Sequence, residues 1–269
     1  MKNYKIGFIG AGNIASAIIQ GILSSGYIIP KNIYVYVYDI DDNKKNRFFD
    51  SGVNAADNPS ELAKCVDYIF LTVKPQIYPD VLNEIKDIAF NKCVIDVAAG
   101  ITIDYVKSFI GKNTSVIRVM PNTPLTIGHG STAIVREQPV TDEQFSFVKG
   151  IFESSGVTVT VDEKFINVVT AINGSAPAFI LQFAKCIIDY GVSCGIEKSD
   201  AEKMVLNTVI GSGILALKST DDIANLIENV TSKGGTTAAG REVLDRSDFE
   251  NIIIQCLDKT LERANELTK

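Results

Sequence analysis

A short apolar segment that runs straight into a glycine-rich turn and then into a helical segment constrains the fold of this chain most. Residues 4–9 have the pattern of a buried strand, and residues 16–23 have a helical pattern. The turn between them is Gly10-Ala11-Gly12-Asn13-Ile14-Ala15. In a dinucleotide-binding βα unit, such glycines permit a tight turn and let a pyrophosphate approach the helix N-terminus. The chain is therefore predicted to begin with a Rossmann domain that binds NAD or NADP.

The end of the second predicted strand, residues 33–38, bears on the choice of dinucleotide. Asp39 follows this strand, and a carboxylate there accepts hydrogen bonds from a ribose 2′-OH and repels a 2′-phosphate. An aspartate at a strand end is also a common turn former. Lys44, Lys45 and Arg47 lie just downstream and can accommodate a phosphate. Asp39 thus favours NADH, and NADPH stays open.

The first part of the chain alternates short strands with helical patterns, which predicts a parallel, doubly wound sheet. From about Asp162 onward the pattern is helical, over residues 163–193, 199–218, 220–229, 236–245 and 248–266. We therefore expect a dinucleotide-binding Rossmann domain over residues 1–161 and an all-helical domain, for substrate binding and dimerisation, over residues 162–269. The predicted strands are residues 4–9, 33–38, 68–72, 93–97, 116–119, 132–135 and 157–161.

The apolar content of the helical half predicts self-association. Apolar side chains such as Ile180, Leu181, Phe183, Ile210 and Ile214 are too many for a few helices to bury among themselves. A helical homodimer interface is the expected solution.

Charge and composition exclude several classes of partner. The net charge of −6 argues against nucleic acid and anionic membrane surfaces. No uninterrupted apolar run approaches about 18 residues, so no membrane span is expected. Met1 to Lys5 lead directly into the first strand and leave no room for a signal peptide. These features predict a cytoplasmic protein.

The cysteines point to a reduced protein without a metal site. The five residues, Cys65, Cys93, Cys186, Cys194 and Cys256, are scattered and have no Cys-x-x-Cys spacing. We interpret them as small core residues, and neither disulfides nor metal ligands are predicted.

A second glycine-rich segment lies in the helical half. Residues 229–240 read Asn-Val-Thr-Ser-Lys-Gly-Gly-Thr-Thr-Ala-Ala-Gly, and a helical pattern follows. Glycines allow close approach of a ligand, and a helix start presents unpaired N–H groups to an anion. The segment is therefore a candidate carboxylate- or phosphate-binding turn, and a plain Ser/Thr-rich helix cap is the alternative.

Further short turns follow predicted strands at Val73-Lys74-Pro75, Ala98-Ala99-Gly100 and Met120-Pro121-Asn122-Thr123-Pro124. In an open parallel sheet, ligands bind beyond the carboxyl ends of the strands. Any one of these turns could be an ordinary loop. Because all three follow strands of the same sheet, we predict that they line the cofactor site.

Together these segments resemble the pyrroline-5-carboxylate reductase family, in family order and over nearly the whole chain. That family reduces the cyclic imine 1-pyrroline-5-carboxylate to L-proline with NADH or NADPH. It has a Rossmann domain followed by an all-helical dimerisation domain, and its dimers often assemble into decamers. The resemblance is carried by Gly10-Ala-Gly12, Val73-Lys-Pro75, Ala98-Ala-Gly100, Arg118-Val-Met-Pro-Asn-Thr-Pro124, Asn173-Gly-Ser-Ala-Pro-Ala-Phe179 and Val230-Thr-Ser-Lys-Gly-Gly-Thr-Thr237.

The resemblance also implies roles for individual residues. It places Asn58, Val73, Lys74, Pro75, Ala98 and Asn229 near the cofactor. It places Ser232, Gly234, Gly235, Thr236 and Thr237 around the substrate carboxylate and ring nitrogen, and Glu163 near the substrate pocket. The chain departs from the family pattern Ser-Gly-Ser-Gly-Pro-Ala-Tyr at Asn173, Ala176 and Phe179, which puts substrate preference and rate in question.

The scarcity of acid–base residues favours an imine substrate. Reduction of a carbonyl calls for a general acid, but the only histidine, His129, lies between glycines and is more typical of a surface loop. A protonated cyclic imine already carries the charge that attracts hydride, so the protein mainly has to hold and orient it. The Thr237 hydroxyl is the expected partner of the ring nitrogen.

Two alternative functions remain from the sequence. One is a β-hydroxyacid dehydrogenase or related imine reductase, although residues 174–181 lack the lysine expected there and Lys185 lies further along. The other is a dinucleotide-binding paralogue without turnover. The intact Ser232–Thr237 segment argues against the second alternative.

Overall fold

The computed structural model describes residues 4–37, 48 and 50–269. They form two compact units, Met1–Ser175 with Thr260–Lys269, and Ala176–Lys259. We call them the sheet unit and the helical unit. Asp39, Lys44, Lys45 and Arg47 lie outside the described residues.

The sheet unit is built on an eight-stranded sheet in the order β3-β2-β1-β4-β5-β6-β7-β8. Its central strands β1, β4 and β5 are short, apolar but for Asp96, and fully buried, as expected for a sheet covered by helices on both faces. They are β1 (Ile6–Ile9), β2 (Ile33–Tyr36), β3 (Asn54–Ala55), β4 (Tyr68–Leu71), β5 (Cys93–Asp96), β6 (Ser115–Pro121), β7 (Gly130–Arg136) and β8 (Gly156–Thr160).

Helices cover both faces of this sheet and enclose two hydrophobic cores. One core contains Ile18, Ile22 and Phe152, and the other contains Leu62, Leu82 and Val106. The helices are α1 (Asn13–Ser25), α2 (Pro59–Cys65), α3 (Tyr78–Ala89), α4 (Ile103–Ile110), α5 (Asp142–Glu153) and α6 (Ile166–Val169), the last followed by a π-helical turn at Thr170–Gly174.

The predicted doubly wound sheet is confirmed, with two differences in detail. The two-residue strand β3 was not predicted, because two residues give no periodic signal. Strand β7 runs antiparallel to β6, whereas every other pairing in the sheet is parallel. The connection between β6 and β7 contains only a short 3-10 turn, Thr123–Ile127, and a parallel return needs a dozen or more residues.

The helical unit contains α7 (Ala176–Ser193), α8 (Lys198–Lys218), α9 (Ile223–Asn229) and α10 (Thr236–Arg246), and most of α11 (Phe249–Glu266). These bounds agree closely with the predicted helical ranges. The compact units divide at Ser175, later than the predicted boundary at residue 161. The reason is that residues 163–175 pack with the sheet, where Ile166 and Ala171 are buried.

The helical unit has no apolar core of its own in this chain. Within residues 176–259, all of them described, the buried apolar side chains are Ala184 and Ala201, while larger ones such as Leu181 and Ile210 are exposed. The expectation that all cysteines are core residues is wrong. Cys93 is buried in β5, whereas Cys186 in α7, Cys194 just after α7 and Cys65 at the end of α2 are exposed.

Among the residues that the structure describes, one helical stretch is long and apolar enough to cross a membrane by length and composition alone. It is Glu163–Ser193, with a mean hydropathy of 1.3 over its most apolar window. It begins among residues that pack on the sheet, since Ile166 belongs to one of the two cores. An apolar helix of this kind is also expected in a dimer interface.

Candidate active site

The carboxyl ends of β1, β4, β5 and β6 lie along one edge of the sheet, because these strands pair in parallel. The segments that follow them begin at Gly10, Thr72, Val97 and Asn122. The structure thus brings together the glycine-rich turn, Val73-Lys74-Pro75 and Ala98-Ala99-Gly100, as the sequence predicted. We call this edge the cofactor edge.

The two glycines of the first turn have different structural roles. Gly10 has a φ of +109°, and a Cβ on it would lie 2.7 Å from the carbonyl oxygen of Thr72. Gly12 is the N-cap of α1, no side-chain cap bonds the start of this helix, and a Cβ on Gly12 would meet nothing within 4 Å among the described residues. The first turn, with Asn13 and Ile14, thus presents backbone N–H groups toward open space. These residues fit a dinucleotide pyrophosphate.

A cavity of about 310 Å³ lies beside this turn and is lined by Ala11, Asn13, Ser16, Phe48 and Ser51, among others. Asn58 also follows the carboxyl end of a strand, β3, and is the N-cap of α2. Its Oδ1 accepts a hydrogen bond from Glu61 N at 2.8 Å. Its predicted contact with the cofactor stays a prediction.

Polar side chains join the strand ends along the cofactor edge. The Thr72 hydroxyl donates to the carbonyl oxygen of Gly10 at 2.8 Å, which connects β4 to β1. The Tyr78 hydroxyl oxygen lies 3.0 Å from the carbonyl oxygen of Leu71 and 2.5 Å from Asp96 Oδ1, which connects β4 to β5. Ala98 N donates to the same Oδ1 at 3.0 Å.

Asp96 and Arg118 are charged residues in the middle of this otherwise apolar layer. Asp96 is fully buried, and Arg118 is 2% exposed. Burial raises the pKa of Asp96 to about 7, although the hydrogen bonds from Tyr78 and Ala98 and the charge of Arg118 oppose the shift. Burial, reinforced by Asp96, also raises the pKa of Tyr78 well above its ordinary value. Neither Asp96 nor Tyr78 belongs to a sequence motif, although an aspartate in an apolar strand is itself a signal of a functional site.

Glu163, predicted near the substrate pocket, lies just after β8 in the sheet unit. Its Oε1 accepts hydrogen bonds from Ile103 N at 2.8 Å and from Arg118 Nη1 at 3.0 Å. Glu163, Arg118, Thr102, Arg136 and Glu137 help to line a polar cavity of about 580 Å³. Glu163 therefore anchors the start of α4, and its contact with substrate stays a prediction.

The predicted substrate turn lies in the helical unit, between α9 and α10. Gly235 is the N-cap of α10, and no side-chain cap bonds this helix start among the described residues. A Cβ on Gly235 would lie 2.3 Å from Ser232 Oγ, so glycine allows the serine to fold back over the helix start. Gly234 has a φ of +74°, a conformation that favours glycine.

The ends of this turn are held by polar contacts to its flanking helices. Arg241 Nη1 donates to Glu228 Oε1 at 2.6 Å and to Thr231 Oγ1 at 3.3 Å, which joins α10 to α9. Asn229, the last residue of α9, donates to Asp221 Oδ2 at 3.4 Å. Thr236 and Thr237 form the first turn of α10 and are exposed. The N-terminus of α10 is thus exposed and carries no side-chain cap, and anion binding there stays a prediction.

Asn173, a departure from the family pattern, has a defined role within the sheet unit. Its Nδ2 donates to the carbonyl oxygen of Ser131 at 3.0 Å, and its Oδ1 accepts from Asn122 Nδ2 at 3.0 Å. Asn122 Oδ1 in turn accepts from Ser131 N at 2.9 Å. The amide pair therefore fastens the π-helical turn to the ends of β6 and β7.

The lone histidine takes no part in these clusters. His129 is exposed in the connection before β7, as its glycine-flanked context predicted. Among the residues that the structure describes, no group of three or more His, Cys, Asp or Glu could hold a metal ion.

Comparison with known proteins gives the same family for both units. A family model described as pyrroline-5-carboxylate reductase dimerisation matches residues 163–267. A second, described as NADP oxidoreductase coenzyme F420-dependent, matches residues 5–100. The pyrroline-5-carboxylate reductase of Escherichia coli (strain K12) is 35% identical to this chain over 268 residues, which cover 98% of each protein.

Solved structures agree with this assignment along the whole chain. Plasmodium falciparum pyrroline carboxylate reductase with NADP bound has a TM-score of 0.92 at 30% identity and covers 100% of both chains. A pyrroline-5-carboxylate reductase from Coxiella burnetii has a TM-score of 0.91 at 30% identity, again over 100% of both chains. The match to the Escherichia coli enzyme over nearly the full length of both proteins shows that this chain belongs to the pyrroline-5-carboxylate reductase family, whose members are NAD(P)H-dependent oxidoreductases.

Proposed function

We propose that this chain reduces the cyclic imine 1-pyrroline-5-carboxylate to L-proline, the last step of proline biosynthesis, with NADH or NADPH. The observation that carries the proposal is that each unit contains a helix start capped by glycine and by no side chain. These are Gly12 in the sheet unit and Gly235 in the helical unit. The reaction needs two anion sites of this kind, one for the dinucleotide pyrophosphate and one for the substrate carboxylate.

The sheet unit is proposed to hold the dinucleotide. Gly12, Asn13 and Ile14 receive the pyrophosphate, Gly10 shapes the turn that places them, with its N–H donating to the Tyr36 carbonyl oxygen, and the bound nicotinamide supplies the hydride. The other proposed cofactor residues of the sheet unit are Asp39, Asn58, Val73, Lys74, Pro75 and Ala98. Asn229 is the proposed cofactor residue of the helical unit.

The substrate turn is proposed to bind the imine through its carboxylate and ring nitrogen. Backbone N–H groups at Thr236 and Thr237, with the Ser232 hydroxyl, offer donors to the carboxylate, while the Gly235 N–H donates to the Ser232 carbonyl oxygen at 2.9 Å and holds the turn closed. The Thr237 hydroxyl is the proposed partner of the ring nitrogen. Because the protonated imine already carries the positive charge that attracts hydride, the chain has to orient it and exclude water rather than supply a strong acid. Gly234 gives the turn its shape, and Glu163 is proposed to border the substrate pocket.

Cofactor choice is a separate part of the proposal. Asp39 favours NADH because a carboxylate repels a 2′-phosphate. The Plasmodium falciparum relative was solved with NADP bound, which supports NADPH as an accepted cofactor in the family. We expect this chain to use both, with NADH preferred.

We further propose a cytoplasmic homodimer that assembles through the helical unit, with a decamer as the larger assembly. The dimerisation match over residues 163–267 supports the dimer. Exposed apolar side chains on α7 and α8, such as Leu181 and Ile210, supply the surface. A partner that covers this surface also accounts for the apolar stretch Glu163–Ser193 without a membrane.

The test is a spectrophotometric assay at about 340 nm with 1-pyrroline-5-carboxylate and either NADH or NADPH. We expect oxidation of both cofactors and formation of L-proline. No oxidation of either cofactor would contradict the proposed reaction, whereas a strong preference for NADPH would contradict only the role of Asp39.

A further inference from the structure

Buried polar groups behind the cofactor edge are not explained by sheet packing. Asp96 and Tyr78 are both fully buried in the apolar layer around β4 and β5, and each carries polar atoms that an apolar pair would not need to satisfy. A buried, partly satisfied polar group usually costs stability relative to an apolar one. Their position therefore calls for a reason other than packing.

The pair lies between two turns that the proposed function assigns to the cofactor. Tyr78 reaches the carbonyl oxygen of Leu71, the last residue of β4, two residues before Val73. Asp96, the last residue of β5, accepts the hydrogen bond of Ala98 N. The 2.5 Å contact between the Tyr78 hydroxyl and Asp96 Oδ1 closes the link between the two strand ends.

We infer that Tyr78 and Asp96 are positioning residues of the reductase, which hold the Val73 and Ala98 turns at the spacing that the nicotinamide end of the dinucleotide needs. This inference rests on the proposed assignment of Val73 and Ala98 to the cofactor. Neither side chain has to touch the cofactor: the pair acts through the backbone of the turns.

The Tyr78–Asp96 pair is part of a longer series of polar contacts. Arg118 Nε lies 3.8 Å from Asp96 Oδ2, and Arg118 Nη1 binds Glu163. Glu163 in turn accepts from Ile103 N, at the end of the segment that begins with Ala98. The segment from Ala98 to Ile103 is thus held at its first residue by Asp96 and at its last by Glu163.

The chemistry of the pair predicts how substitutions behave. Tyr78→Phe removes one oxygen and with it both contacts of the hydroxyl, while the ring still fills its place. Asp96→Asn replaces the carboxylate that accepts from Tyr78 and Ala98 by a neutral and weaker acceptor, and it removes the negative charge that faces Arg118. Because both changes weaken the same link, the double variant should be little worse than the worse single variant.

A matched control is available at the other end of β4. Tyr68 is the first residue of that strand and is also buried. Tyr78 is the first residue of α3 and contacts the carboxyl end of β4, whereas Tyr68→Phe removes a tyrosine hydroxyl at the other end of β4, away from the cofactor edge. It separates a local effect on the turns from a general cost of losing a buried tyrosine hydroxyl.

The experiment measures amide hydrogen exchange of the Ala98 segment in dinucleotide-free protein, and NADH and NADPH binding by fluorescence titration. For Tyr78→Phe and Asp96→Asn we expect exchange of the Ala98 amide at least about ten-fold faster and a Kd for the dinucleotide about five- to twenty-fold higher, the scale of one hydrogen bond to a charged group. The KM for 1-pyrroline-5-carboxylate should stay within about three-fold, and Tyr68→Phe should leave the exchange and the Kd within about two-fold.

Unchanged Ala98 exchange and unchanged Kd in both variants, even with a lowered melting temperature, would overturn the inference and leave the pair a purely structural one. If Asp96→Asn does not fold, Tyr78→Phe alone decides. A wild-type chain that binds neither NADH nor NADPH would overturn the proposed function, whereas the Ala98 exchange would still decide whether the pair holds the turn.

Discussion

The sheet unit and the helical unit each contain a glycine-capped helix start, at Gly12 and at Gly235, but they support it in different ways. The sheet unit supports its turn with two closed hydrophobic cores and a series of buried polar contacts. The helical unit leaves most of its large apolar side chains exposed. The proposed dinucleotide site thus lies in a unit with hydrophobic cores of its own, whereas the proposed substrate turn lies in a unit that we propose a partner stabilises.

The largest effect is expected from breaking the apolar surface of the helical unit. Ile210 on α8 is 59% exposed in the single chain, and Ile210→Glu places a charge in the proposed dimer interface. We expect a monomer and a loss of activity of roughly 100-fold or more, since a buried unpaired charge costs several kcal/mol. Light scattering after size exclusion gives the mass, and the 340 nm assay gives the activity.

A control variant in the sheet unit, and dinucleotide binding by the Ile210→Glu monomer, test the same difference between the two units. Ile127, in the sheet unit, is 74% exposed, and Ile127→Glu should change neither mass nor activity. The Ile210→Glu monomer should still bind NADH or NADPH within about three-fold of wild type, because the sheet unit has its own cores. Loss of binding in that monomer would show that the sheet unit is not self-sufficient.

The two glycines of the first turn separate folding from binding. Gly10→Ala forces a residue with a Cβ into a φ of +109° and against the Thr72 carbonyl oxygen, so we expect it to cost about 1–3 kcal/mol of stability. Gly12→Ala adds a methyl group into open space, so its melting temperature should be nearly unchanged. Its Kd for the dinucleotide should rise about 10- to 100-fold as the pyrophosphate contacts weaken. Equal stability losses in the two variants would contradict these separate roles.

A smaller effect is expected at the substrate turn. Thr237→Ala should lower kcat/KM about ten-fold, the scale of one lost hydrogen bond to a charged group. Thr237→Ser retains the hydroxyl and should restore most of the activity. Thr220→Ala makes the same change at an exposed site before α9 and serves as the control. Unchanged kinetics in Thr237→Ala would remove Thr237 from the site.

The smallest effect concerns the pH dependence of stability in the sheet unit. The pKa of Asp96 is raised from 3.8 to about 7 in the folded chain, so the folded state binds this proton more tightly than the unfolded state. The stability that protonated Asp96 contributes to the fold is therefore present below about pH 4 and is lost as the pH rises through about 7. Asp96→Asn removes this dependence. The melting temperature of the variant minus that of wild type should therefore be larger at pH 8 than at pH 5. A difference between the two proteins that does not change with pH would contradict the raised pKa.

Much of this architecture could be predicted because it has a local signal. The Gly10–Ala15 turn, the helices of the second half and the turn before α10 each follow from spacing and residue type. The antiparallel direction of β7 followed from the length of one connection and could have been predicted. The roles of Tyr78, Arg118 and Asn173 could not, because their partners are distant in sequence: the Asn173 amide, for instance, meets Asn122 and Ser131 only after the sheet has formed. Exposure of Cys186 and Cys194 depends on the missing core of the helical unit, which no local pattern shows.

The most direct test of the division between the two units is a set of steady-state constants for Gly12→Ala and Thr237→Ala, each measured against both ligands. We predict that Gly12→Ala raises the KM for NADH or NADPH about ten-fold or more and leaves the KM for 1-pyrroline-5-carboxylate within about two-fold. Thr237→Ala should lower kcat/KM for the imine and leave the Kd for the dinucleotide unchanged. If either variant impaired both ligands equally, the assignment of cofactor to the sheet unit and substrate to the helical unit would be contradicted.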